Sequence, residues 1–191
     1  MSKRSISLTG DPAADQLLGS DPLALLIGMI LDQQIPMERA FRAPYDLSIR
    51  MGGSLDAEHI AGFDPDEFAR LFAEKPALHR FPASMAARVQ QACSLIVEEY
   101  GSDAGSVWKT AKTGKELFSK VKSLPGFGDG KARIFVALLG KQFSVTPEGW
   151  REACKPFGQD GTFMSVADID SPEALAKVRA HKKAMKASKP A

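Results

Sequence analysis

Apolar positions along this chain recur at helical spacing, with almost no alternation of the kind a strand requires. Between 83 and 100, Met85, Val89, Ala92, Cys93, Ile96 and Val97 fall three or four residues apart, and Gly101 suits a helix C-terminal end. After Asp21-Pro22 the chain is apolar from Leu23 to Leu31. Asp21 is a good N-cap and Pro22 fits the first helical position, so the pattern predicts a core helix over 22–34. Its apolar run is too short to span a membrane. The same reading predicts helices over 37–50 (Pro44 a candidate kink, Gly52-Gly53-Ser54 its end), 56–61, from 64 to a break at Pro76, 103–108, 113–123, 131–139 and 146–157, which Gly158 stops. A last helix opens at Ser171-Pro172-Glu173 and reaches the tail. Only 5–8 carries a weak strand pattern. Successive short helices with short connections predict an all-α fold.

The most informative connection is Leu124-Pro125-Gly126-Phe127-Gly128-Asp129-Gly130-Lys131-Ala132. The helix before it opens with Thr113 and Glu116 in capping-box spacing. The helix after it is too apolar for a surface helix. Gly126 and Gly128 can take backbone angles that a Cβ disfavours, and Asp129 can cap the second helix. Backbone N–H groups then face outward at a helix N-terminus, which suits a phosphate. Proline and glycine also mark ordinary turns, so a plain helix–turn–helix connection is the competing reading.

Composition changes this picture little. Apolar content of 44% and charged content of 25% are average for a globular protein, and 191 residues can bury a substantial core. The first residues lack the apolar stretch of a secretory signal, so a soluble, cytoplasmic protein is expected, nucleoid-associated if bacterial. Cys93 and Cys154 are too few for a disulfide framework or a four-iron cluster. His59, His79 and His181 lack metal-ligand spacing. No cofactor and no membrane partner is expected. Net charge is only +2, but its distribution is uneven. Lys109, Lys112, Lys115, Lys120 and Lys122 lead into the glycine turn with Glu116 as the one acid among them, and from Lys177 onward there are six basic residues and no acid. Such a run is either a solvated face, or a fraying tail, or a field for phosphates.

The hairpin string resembles the helix-hairpin-helix of the HhH-GPD superfamily of DNA glycosylases, endonuclease III-like, whose hairpin reads L-P-G-(apolar)-G-x-x-x-A. Leu124, Pro125, Gly126, Phe127, Gly128 and Ala132 fit it. About ninety residues upstream, the run from Asp21 to Gln34 resembles the first barrel helix of that family, which ends in L-x-x-Q or L-x-Q-Q. The resemblance covers 20–160. It implies a two-lobed, all-α fold: a six-helix barrel at 22–138 that includes the hairpin, a second lobe from 1–21 with 139–176, and a basic tail at 177–191. It also implies a monomer that binds duplex DNA carrying a lesion, mismatch or abasic site. Gln33, Gln34, Leu124, Pro125, Gly126, Phe127, Gly128, Gly130 and Lys131 are then the DNA-binding positions, with Gln34 filling the gap left by a flipped base. A monovalent cation on the hairpin carbonyls is implied as well.

The family's catalytic aspartate is missing. Aligning Val145 with the V of V-D puts Thr146 in its place; aligning Pro147-Glu148 with P-E-D puts Gly149 there. Glu148 is the nearest substitute carboxylate, although an acid in a first helical turn also complements the helix dipole. Asp32 is a second candidate. The Schiff-base lysine of the bifunctional members corresponds to Gly130, and Lys131 lies one residue later, about 100° around a helix. Two functions remain open. One is a monofunctional glycosylase with an atypical catalytic site; the other is an inactive glycosylase-fold protein that binds damaged or structured DNA. An α-helical interaction domain is a third, disfavoured by the hairpin.

Overall fold

Proline stands at the first position of Pro12–Ser20, Pro22–Leu31, Pro65–Ala73, Pro82–Tyr100 and Pro172–Ala187, where its missing N–H has no intrahelical partner to lose. Asp11, Asp21, Asp64 and Ser171 cap four of these starts by accepting backbone N–H groups. The computed structural model describes residues 6–189, and every regular element in that span is helical. In order these are α1 (Pro12–Ser20), α2 (Pro22–Leu31), α3 (Met37–Arg50), α4 (Ala57–Gly62), α5 (Pro65–Ala73), α6 (Pro82–Tyr100), α7 (Ser106–Lys109), α8 (Gly114–Lys122), α9 (Asp129–Phe143), α10 (Trp150–Ala153) and α11 (Pro172–Ala187), with a 3₁₀ turn at Val166–Asp168.

The all-α expectation therefore holds. α2 is the central helix, buried from Leu23 to Leu31. It packs on α1, α3 and α6, and α4 and α5 lie against α6. A Cβ at Gly28 would sit 2.7 Å from the Phe41 ring, so the glycine lets α3 approach closely. In the second half α8 and α9 pair, with α10 against both, and the 3₁₀ turn packs on α9 and α11. One hydrophobic cluster runs from Ile6 and Leu8 through α2, α6 and α9 to Val178. Cys93 and Cys154 are both buried in it. Among the described residues no single helix is long and apolar enough to cross a membrane.

Several boundaries differ from the sequence pattern. α1 was not anticipated. It is short, its core face is only Ala14 and Leu18, and Asp21 both ends it and caps α2. α2 stops at Leu31, three residues early, because Gln34 takes a left-handed φ of 58° and Pro36 follows. α3 runs through Pro44 without a break. The helix expected over 146–157 shrinks to Trp150–Ala153, since Gly149 adopts φ 76° and turns Trp150 onto Gly140. Gly128, not Asp129, is the N-cap of α9; Asp129 pairs with Lys122 at 2.6 Å. Thr113 accepts the Glu116 N–H, but the Glu116 carboxylate returns to the N–H of Lys112, one residue before the cap. For the expected strand, Ser5 lies outside the described residues, and Ile6 to Leu8 form none; the Leu8 N–H donates to Asp15 instead.

Candidate functional site

The hairpin is built from the core outward. Leu124 and Phe127 are buried, and the Phe127 N–H donates to the Leu124 carbonyl at 3.2 Å, closing the turn. Phe127 packs on Phe135 with the rings tilted and their centroids 5.7 Å apart, and Phe135 meets Trp108 edge-on. These side chains anchor the turn, so only its backbone and tip are available to a ligand. Gly126 has φ 90°, and a Cβ there would lie 2.7 Å from Arg88 Cδ. Gly128 and Gly130 are exposed and open, with nothing within 4 Å of an added Cβ. Gly128 brings no side-chain cap, which leaves the first N–H groups of α9 for an anion.

Behind the tip a polar cluster joins α9, α2 and α6. Lys131 points inward, away from the exposed tip. Its Nζ donates to the Ile30 carbonyl at 3.1 Å, where a cation suits the C-terminal end of α2. The Gln33 amide donates to the same carbonyl at 3.0 Å and to Met85 Sδ at 3.4 Å. Arg88 reaches the Gln33 Oε1 at 3.5 Å. His79 is buried; its Nε2 donates to the Gln33 carbonyl at 2.9 Å, and its Nδ1 accepts the Phe81 N–H at 3.0 Å. That pair of bonds fixes the neutral ring, protonated on Nε2. Burial lowers the His79 pKa in agreement.

Asp32 follows α2 directly and lies within this cluster. Burial raises its pKa, while Lys182 and Lys131 pull it back and Glu38 adds to the rise. Burial also brings the Lys131 amine down to about 8, with Asp32 opposing and Arg88 assisting. Lys182 comes from α11 and contacts Met37 Sδ at 3.8 Å, while neighbouring Arg179 pairs with Glu38. Asp32 thus senses the charges of a lysine of the hairpin helix and a lysine of the last helix.

The expected site residues divide accordingly. Asp32, Gln33, Gly126 and Lys131 meet around the end of α2. Gln34 is exposed at the same turn, and its left-handed backbone is uncommon for a residue with a Cβ. Pro125, Gly128 and Gly130 form the outer turn. Glu148 is not brought to this cluster. It is exposed, its carbonyl accepts the Gly114 N–H at 2.7 Å, and Trp150 beside it packs on Gly140. Gly140 is nine residues beyond Lys131, about 13 Å along α9. The lysine run before the hairpin is largely paired: Lys109 with Asp103, Lys120 with Glu116 and Lys122 with Asp129. Sequence reasoning missed Arg88, His79, Phe81 and Lys182. Phe81 is exposed beside His79 at the start of α6, under the Arg80 guanidinium. An aromatic flanked by arginine and proline was the one available signal.

A family model described as HhH-GPD superfamily base excision DNA repair protein matches residues 27–189. The chain belongs to this family. The match begins inside α2 and takes in the glutamine turn, the hairpin and α11. As an HhH-GPD protein, it is a base excision repair protein that acts on DNA. No curated protein and no solved structure matched it.

Proposed function

We propose that this HhH-GPD protein is a monofunctional DNA glycosylase in which Asp32 takes the part of the missing aspartate. The observation that carries the reading is the position of Asp32, immediately after α2 at the end that Lys131 of the hairpin helix reaches through the Ile30 carbonyl, where the carboxylate senses the charges of Lys131 and Lys182. Duplex DNA lies across the hairpin, whose exposed backbone N–H groups hold a phosphate. The target nucleotide leaves the stack. Gln34 occupies the gap, and Phe81 is an apolar side chain able to enter an opened base step. The C1′–N bond then breaks, with its electron pair departing on the base. The ionised Asp32 carboxylate stabilises the positive sugar and accepts a proton from the water that adds at C1′. The products are free base and an abasic site.

Lys131 does not open a lyase path at neutral pH in this reading. Its amine is turned inward and donates to the Ile30 carbonyl, and the family's Schiff-base position is Gly130. A second reading, lesion binding without base release, is favoured by one observation: burial disfavours the charged form of Asp32. The experiment is a panel of duplexes with defined lesions and mismatches, scored for binding and for alkali-labile sites. Base release without nicking supports the glycosylase. Tight lesion binding with no release across the panel supports the second reading.

A further inference from the structure

We infer that the basic face of α11 is a second binding rim for the DNA backbone beside the hairpin, joined to the Asp32 turn through Met37 and Glu38; this rests on the proposed reading of the site. Arg179, Lys182, Lys183 and Lys186 are spaced i, i+3, i+4 and i+7, which puts them on one stripe of the helix. Buried Ala174 and Val178 carry the packing on the adjoining face, with half-buried Lys182 one turn beyond Val178 at its edge, so Lys183 and Lys186 are turned away from the core. From Lys177 onward no acid interrupts the stripe.

The stripe is continuous with the site. At its near end Arg179 is paired with Glu38 and Lys182 contacts Met37, five residues after Asp32, whose carboxylate senses the Lys182 charge. Beyond that, Lys183 and Lys186 are exposed, and among the described residues neither forms an ion pair. An ordinary solvated helix face has no reason to start at the candidate catalytic carboxylate. A polyanion lying over the hairpin and Asp32 meets this stripe next. From 179 to 186 the helix rises about 10 Å, and one DNA strand presents a charge about every 3.4 Å of axis. Two exposed lysines can therefore each neutralise a phosphate. The hairpin offers backbone N–H groups and α11 offers mobile ammonium groups. The two together grip one strand on both sides of the extruded nucleotide.

The test uses the full chain and the double variant K183Q/K186Q, whose side chains are exposed and do not enter the core. Binding to an abasic-site duplex is measured across a salt series. Each lost phosphate contact lowers the slope of log K against log salt by about 0.9, so the expected loss is about 1.8 relative to wild type. Half-saturation of binding moves to higher protein concentration in the variant. Charge reversal, K183E/K186E, weakens binding further. Wild-type binding with an unchanged slope and affinity in both variants overturns the α11 rim and leaves the glycosylase reading standing. Failure of the wild type to bind any duplex at low salt overturns both.

Discussion

The Lys131 amine donates a hydrogen bond to the carbonyl of Ile30 at 3.1 Å, across 101 residues of sequence. This contact ties the first turn of α9 to the end of α2. It also holds the hairpin helix beside Gln33, whose amide shares the same carbonyl. A hairpin lysine is thereby part of the polar cluster at the end of α2, and its titration reports on the Asp32 charge it senses.

Lys131 should titrate near 8, well below an ordinary lysine. The folded pKa lies below the unfolded value. Its contribution to stability is therefore fully present above the unfolded value near 10.5 and is lost as pH falls through about 8. Stability should rise between those limits, and Lys131→Met should flatten that rise. Asp32→Asn should lower the Lys131 pKa further, and Arg88→Gln should raise it. Carbon-13 methyl NMR of reductively methylated lysines measures each value. A Lys131 resonance that titrates with the surface lysines would contradict a buried amine on the Ile30 carbonyl.

Asp32 has the opposite linkage. Burial raises its folded pKa, so the stability it contributes is full below the unfolded value and is lost as pH rises through the folded one. At neutral pH Asp32→Asn should therefore melt at the wild-type temperature or above it. Base release needs the ionised carboxylate and should fall on acidification with an inflection above 3.8, the ordinary value for aspartate. Calorimetry of the variant and a pH–rate profile of the wild type check the two halves. A variant that melts lower would indicate a structural carboxylate.

Gly126 and Gly128 should separate stability from binding. A Cβ at Gly126 meets Arg88 and an unfavourable φ, so Gly126→Ala should destabilise by roughly 1–3 kcal/mol. Gly128 is an N-cap with open space around it, and serine is the better cap, so Gly128→Ser should hold or raise the melting temperature. The serine hydroxyl also competes for the N–H groups a phosphate needs. DNA affinity should drop about tenfold, or about 1.4 kcal/mol. Undiminished affinity would reduce the turn to a connection.

Phe81→Ala removes an exposed ring and should change stability by less than about 0.5 kcal/mol. Base release from duplex should slow by at least tenfold, while release from a single-stranded substrate changes little, because no stack needs opening there. Equal slowing on both substrates would place Phe81 outside the base-extrusion step.

Local chemistry was readable wherever one segment decided it. The Asp21-Pro22 start of α2, the periodic face of α6 with Gly101 at its end, and the hairpin around Gly126 are all written in neighbouring residues. α1 escaped because two buried residues make no periodic signal. α10 was overestimated because the left-handed turn at Gly149 is set by the close fit of Trp150 on Gly140, a contact between elements. The wall of the site escaped for the same reason. Whether Lys131 points to solvent or to Ile30 depends on where α2 ends. That in turn depends on the backbone at Gln34, and nothing in the string from Leu124 to Ala132 encodes it. Glu148 and Asp32 are both single acids near apolar helices in the sequence. Only the folded chain separates the one at Gly114 from the one beside Lys131.

The most direct test is single-turnover base release by Asp32→Asn and Glu148→Gln, each beside wild type, on whichever duplex of the lesion panel the wild type processes. Wild type and Glu148→Gln should leave alkali-labile abasic sites at equal rates with no nicking and no borohydride-trapped adduct. Asp32→Asn should bind that duplex normally and release no base. Release by Asp32→Asn at the wild-type rate, or its loss in Glu148→Gln alone, would contradict the account.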